Sequence, residues 1–214
     1  MMEKLGKQLE QVGVLPVVTT YTAEGTVELA KTLLSAGISA IEITCRTASA
    51  IDAIKAVKEA DLDILLGVGT VTNTKLLEQV AAIGVDFIVS PGITPALLQA
   101  AADNKLPILP GVSSASDIML CLDYELQYMK IFPAVPLGAA QLLKAFAGPF
   151  PDVKFCPTGG ININNFQEFL QMPNVFCVGG SWMVPGKQVE NNDWASITQL
   201  CHECLTMPGN TKTK

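Results

Sequence analysis

Residues 38–68 read ISAIEITCRTASAIDAIKAVKEADLDILLGV. The stretch opens with Ile38–Thr44, a β-branched run of strand length. Ala50–Ala60 then carries a helical pattern, and Ile64–Val68 is a second short apolar run. Strand, helix and strand in so short a span form a βαβ unit, whose two strands lie parallel in one sheet.

The same rhythm continues in both directions. Further strands are expected at Val14–Thr19, Asp86–Val89, Pro107–Gly111, Tyr128–Phe132, Val153–Cys156 and Val175–Val178. Helical patterns occupy Glu24–Ala36, Thr74–Ile83, Pro95–Asn104, Ser116–Leu122, Ala139–Ala147, Asn164–Gln171 and Trp194–Leu205. Gly37, Gly84 and Asn104 sit where C-terminal caps belong. The opening MMEKLGKQLEQVG reads as a polar helix ahead of the first strand. Apolar strands alternating with amphipathic helices imply a parallel sheet covered on both faces. Eight such units predict an α/β fold, a single (β/α)8 TIM barrel with an extra N-terminal helix. An open doubly wound sheet is the rival. No linker divides the chain, so residues 1–206 are expected to be the barrel and 207–214 (MPGNTKTK) a loose polar tail.

Composition narrows the chemistry. The chain has 214 residues, 49% hydrophobic and 16% charged, which is enough for a full-sized core. A net charge of −6 disfavours nucleic acid as a partner. No apolar run reaches membrane-spanning length and no secretory signal precedes the first strand, so a cytoplasmic protein is expected, with no membrane partner. The six cysteines read as free, buried thiols of a reducing cytosol. Cys201 and Cys204 have CxxC spacing, but no second pair accompanies them. His202 is the sole histidine and Arg46 the sole arginine. A serine–histidine or cysteine–histidine mechanism therefore has no obvious base, and a multi-histidine metal site is excluded. Any guanidinium that holds a carboxylate must be Arg46.

In such a barrel the active site is built where strands end and βα loops begin. Strand 2 ends Ile41-Glu42-Ile43-Thr44-Cys45-Arg46. Alternation puts Glu42, Thr44 and Arg46 on one side, facing the interior near the mouth. This is either a structural Glu42–Arg46 ion pair or an acid/base carboxylate beside an anion-binding guanidinium. Strand 3 runs into Gly67-Val68-Gly69-Thr70, where glycines allow close backbone approach and Thr70 offers a hydroxyl. Strand 4 ends Ser90-Pro91-Gly92 and strand 5 ends Pro110-Gly111-Val112-Ser113, which serve equally as turns or as pocket wall.

Strand 6 lies in QYMKIFPA, residues 127–134. Tyr128, Lys130 and Phe132 share a face, so with Met129 and Ile131 under the helices Lys130 points into the barrel. A charged ammonium is costly to bury unpaired. Desolvation favours the neutral amine that a carbonyl nucleophile needs, whereas a structural lysine would simply be paired with a carboxylate. Strand 7 ends Pro157-Thr158-Gly159-Gly160, and strand 8 ends Gly179-Gly180-Ser181-Trp182. Glycine pairs after both of the last two strands match the recurrent phosphate site of these barrels.

The ordered set Glu42-Ile-Thr-Cys-Arg46, Gly67-Val-Gly-Thr70, Ser90-Pro-Gly92, Lys130-Ile-Phe-Pro133, Phe155-Cys-Pro-Thr-Gly-Gly160 and Gly179-Gly-Ser-Trp182 resembles the 2-keto-3-deoxy-6-phosphogluconate (KDPG) aldolases. Enzymes of that family often act also on 4-hydroxy-2-oxoglutarate (KHG). The resemblance runs from the N-terminal helix to about Thr206. It implies a metal-independent class I aldolase with no cofactor, a 2-keto acid phosphate as substrate, and a homotrimer. Lys130 falls on the family's Schiff-base lysine and Glu42 on its acid/base glutamate. Arg46, Thr70, Pro91, Phe132 and Thr158 fall on substrate-binding positions. Gly159, Gly160, Gly180 and Ser181 fall on the phosphate site. The sequence departs from the family at Val135-Pro-Leu-Gly-Ala-Ala140, where relatives often have a more polar, glycine-rich run, and at Thr19-Thr20-Tyr21. Two other readings stay open: an isomerase or epimerase that uses Glu42 without an imine, and a silent phosphate-binding barrel.

Overall fold

The structure, a computed structural model, describes residues 2–207. Apart from Met207, the tail expected over 207–214 lies outside the described residues, as does Met1.

The strands are β1 Val14–Val18, β2 Ala40–Thr44, β3 Leu65–Gly69, β4 Phe87–Val89, β5 Ile108–Leu109, β6 Gly111–Val112, β7 Tyr128–Ile131, β8 Lys154–Pro157 and β9 Val178–Gly180. Parallel pairing runs β5-β4-β3-β2-β1-β9 on one side and β6-β7-β8 on the other. Two features close the ring. Single parallel bridges, Phe155 to Val175 and Thr158 to Gly179, join the β8 and β9 segments. On the opposite side β5 and β6 are two halves of the one expected strand, parted at Pro110. Proline has no N–H to give the ladder. The β4 edge is held instead by Ser90, whose amide donates to the Leu109 carbonyl and whose hydroxyl accepts from the Gly111 amide. The eightfold parallel barrel is thus present, with one strand broken.

Helices cover the outside: α2 Ala23–Ser35, α3 Ala50–Glu59, α4 Thr74–Ile83, α5 Pro95–Asp103, α6 Ala115–Asp123, α7 Ala139–Phe146, α8 Phe166–Leu170, α9 Gly186–Glu190 and α10 Trp194–Thr206. Their starts follow from capping chemistry. Thr22, Asn73, Thr94, Ser114 and Asp193 each accept an orphan amide of the first turn. Gly84 ends α4 in the left-handed conformation, at φ 81°. The extra helix α1, Met2–Val12, turns Leu5, Leu9 and Val12 inward. Its Gly6 lets the Tyr128 ring lie directly against it, at the start of β7.

Two expectations need correction. The last strand is Val178–Gly180, not Val175–Val178, so Gly179 and Gly180 are strand residues paired with Leu15 and Pro16 rather than a turn after the strand. Only Gly159 and Gly160, at φ 99° and 80°, form a true glycine loop. The short helix α9, between β9 and α10, was not expected at all.

Candidate active site

Glu42 and Lys130 meet inside the barrel. Lys130 Nζ lies 3.3 Å from Glu42 Oε1, and the residues are 4% and 1% exposed. The carboxylate comes from β2 and the ammonium from β7, so strands far apart in the chain supply the pair. Alternation places them as expected, with Met129 and Ile131 fully buried on the other face of β7. Room for Glu42 comes from β3. Thr44 pairs with Gly69 in register, and a Cβ on Gly69 would collide with the Glu42 carboxylate. A Cβ on Gly67 would likewise run into the Phe87 ring. Lys130 Nζ also lies 5.4 Å from the centroid of Phe132, over an electron-rich face that tolerates its charge. Glu42 Oε2 is buried without a hydrogen-bond partner among the described residues.

Arg46 is not Glu42's partner. Strand β2 stops at Thr44, and Cys45 and Arg46 turn away, so alternation does not carry to residue 46. The Thr44 hydroxyl points sideways instead, donating to the Val18 carbonyl at 2.8 Å. Arg46 is exposed on the rim, where its Nε donates to Thr70 Oγ1 at 3.0 Å. Thr70 holds φ 62°, a strained conformation for a β-branched residue. Buried Thr20 supports the Arg46 loop through its hydroxyl, 3.2 Å from that of Thr47, and through its carbonyl, which accepts from the Ser49 hydroxyl.

The remaining predicted residues ring the same end. Pro91 is exposed, with its backbone against Gly111, which pairs in register with Lys130. Thr158 is buried just past β8, and Gly179 lacks a side chain where the Thr158 hydroxyl sits. Gly159 lies against Phe132 and Pro133, and the Gly160 carbonyl accepts from Asn162 Nδ2 and Asn165 Nδ2. Ser181 is exposed directly after Gly180.

Three residues were not singled out for the site. A Cβ on Gly160 would lie 2.7 Å from that of half-exposed Val135, so Val135 forms a rim over the glycine loop. Its position in the departing 135–140 run was the available signal. Ser90 carries the broken strand, and the Trp182 ring lies against Gly180.

An amine and a carboxylate in contact, sealed from bulk water, suit proton exchange with a group bound covalently to the amine. At three cysteines elsewhere in the molecule, thiolate formation is disfavoured. Burial pushes Cys121 and Cys201 up to about 12 and Cys204 up to about 11.

Comparison with known proteins agrees. The family model described as KDPG and KHG aldolase matches residues 5–200. The KHG/KDPG aldolase of Escherichia coli strain K12 is 42% identical over 192 residues, which is 90% of both chains. A solved KDPG aldolase from Legionella pneumophila, with pyruvate captured at low pH as a covalent carbinolamine intermediate, is 41% identical with a TM-score of 0.89, covering 92% of this chain and 96% of that one. That of Zymomonas mobilis ZM4, with 3-phosphoglycerate, is 38% identical with a TM-score of 0.90, covering 96% and 97%. This chain belongs to the KDPG and KHG aldolase family.

Proposed function

We propose that this protein cleaves KDPG to pyruvate and glyceraldehyde 3-phosphate through an imine on Lys130, and that KHG, cleaved to pyruvate and glyoxylate, is a second substrate. The observation that carries the proposal is the buried contact of Lys130 Nζ with Glu42 Oε1 at 3.3 Å.

The neutral Lys130 amine adds to the C2 carbonyl, and loss of water leaves a protonated imine, a better electron sink than the ketone. Glu42 relays protons during this step. Its carboxylate then takes the proton of the C4 hydroxyl. The C3–C4 bond breaks, with its electron pair passing to the imine. Glyceraldehyde 3-phosphate leaves and a pyruvate enamine remains. Protonation at C3 and hydrolysis by water release pyruvate and restore the amine. Glu42 Oε2 supports this role, since its lone pairs are not committed to any described residue.

Arg46 is the one guanidinium, and it is held at the rim by Thr70. It grips the substrate carboxylate bidentately and so fixes the keto group over Lys130. Pro91, Phe132 and Thr158 line the substrate. Gly159, Gly160, Gly180 and Ser181 take the phosphate, anchoring the end remote from the reacting bond. The left-handed Gly159 and Gly160 support this, because a loop of that shape turns backbone N–H groups toward an anion. A homotrimer in a reducing cytosol completes the proposal, with none of the six cysteines in a disulfide among the described residues.

The test is borohydride reduction in the presence of pyruvate, followed by peptide mass mapping. A reduced pyruvyl adduct on Lys130 alone is expected. Pyruvate binding without an adduct would remove the imine and favour a proton-transfer enzyme on the same scaffold.

A further inference from the structure

We propose that Trp182 is a positioning residue that clips the two halves of the phosphate site together, and that Cys204 locks it in place. The inference rests on the reading of the Gly159–Gly160 and Gly180–Ser181 segments as that site.

The first segment follows β8, and the second is the end of β9 with the residue after it. Among the described residues, single bridges rather than a continuous ladder join these two strands. An anion held by backbone N–H groups from both needs them within hydrogen-bond range at once. Something must therefore fix one segment against the other. The two segments adjoin at one place, since a Cβ on Gly180 would lie 3.5 Å from the Ile161 carbonyl, in ordinary van der Waals contact.

Trp182 spans this junction. Its six-membered ring folds back over Gly180, and a Cβ there would collide with Cε3 and Cζ3. The ring centroid lies 5.6 Å from that of Phe166, at an interplanar angle of 34°. Phe166 is fully buried and opens α8, the helix that follows the Gly159–Gly160 loop. One indole thus touches the end of β9 and the first residue of α8. Ser181 sits between Gly180 and Trp182, so anchoring the indole constrains the backbone of Ser181.

A half-buried indole N–H needs an acceptor. Trp182 Nε1 donates to Cys204 Sγ on α10 at 3.0 Å. Cys204 is fully buried. The bond adds a directional restraint on the side-chain torsions to the packing contacts. Phenylalanine at 182 would keep the packing and lose the lock.

The test uses the purified full-length protein and three variants, Cys204→Ala, Cys204→Ser and Trp182→Phe. Steady-state kinetics are measured on KDPG and on its unphosphorylated counterpart, with borohydride trapping of pyruvate alongside. Cys204→Ala and Trp182→Phe should each raise KM for KDPG about fivefold to tenfold, as expected for the loss of one buried hydrogen bond. Turnover of the unphosphorylated compound and pyruvate trapping should stay within about twofold. Cys204→Ser, which keeps an acceptor, should restore most of the KDPG affinity. Unchanged KM in Cys204→Ala and Trp182→Phe, or equal losses on both compounds, would overturn the clip. A wild-type protein with no preference for the phosphorylated compound would overturn the phosphate reading itself, and the clip with it.

Discussion

Gly69 and Glu42 compete for one volume: a Cβ at residue 69 would lie within the Glu42 carboxylate. The absence of a side chain on β3 therefore sets where the β2 carboxylate sits, and hence its contact with Lys130. Gly69 does not adopt a positive φ, so alanine is conformationally allowed there. Gly69→Ala should fold, destabilised by about 1–3 kcal/mol through overpacking. Its kcat should fall about a hundredfold, because a displacement on the scale of an ångström disrupts proton transfer. Thermal melting and steady-state kinetics on one preparation separate the two effects.

The Glu42–Lys130 pair is itself a stability element. Each charge is buried and each relies on the other, so removing one partner is expected to cost about 3–5 kcal/mol. Lys130→Met and Glu42→Gln should both be less stable than the wild type. The double variant should recover much of the loss, because no unpaired charge remains. Lys130→Met should have no turnover, and Glu42→Gln should lose about a hundredfold or more. Denaturant titrations of the four proteins close the cycle, and strictly additive losses would show that the contact carries no coupling energy.

Thr70 connects strain to substrate binding. Its φ of 62° is costly for a β-branched side chain, and its hydroxyl holds the Arg46 Nε. Thr70→Val keeps the shape and the strain but loses the bond, so pyruvate affinity should fall about fivefold to tenfold. Thr70→Gly loses the same bond while relieving the strain. It should therefore match or exceed the stability of Thr70→Val, even after the larger entropy loss of glycine. Melting temperatures decide the stability order, and the pyruvate dependence of the trapping rate decides the binding effect.

These residues also show what could be read before folding. Lys130 was legible inside the barrel because Met129 and Ile131 flank it within one short strand, where a period of two holds. Alternation along β2 puts Arg46 beside Glu42, whereas it bonds Thr70, because β2 ends at Thr44 and the turn resets the direction of the side chain. The last strand was misplaced by three residues. Val175–Val178 is apolar enough to read as a strand, while glycines carry little strand signal. Pairing with β1 nonetheless begins only at Val178. Helix α9 has five residues, too few to show a period. Val135 stood out as a departure from relatives, but its seat over Gly160 depends on the chain folding back after β7.

The buried thiols predict the alkaline limit of stability. Burial raises Cys121 and Cys201 to about 12 and Cys204 to about 11, whereas an unfolded thiol ionises near pH 8.5. Between these values the folded state binds more protons than the unfolded state, so stability falls as pH rises. The stabilisation is fully present below about pH 8.5 and is lost progressively up to about pH 11–12. The wild type should therefore melt at a lower temperature at pH 10 than at pH 8. Cys121→Ala with Cys201→Ala should start lower at pH 8, because two buried sulfurs leave voids in the core. It should nonetheless lose less on going to pH 10. An equal drop in both proteins would place the alkaline sensitivity elsewhere, in groups such as Tyr128, whose hydroxyl is also raised by burial.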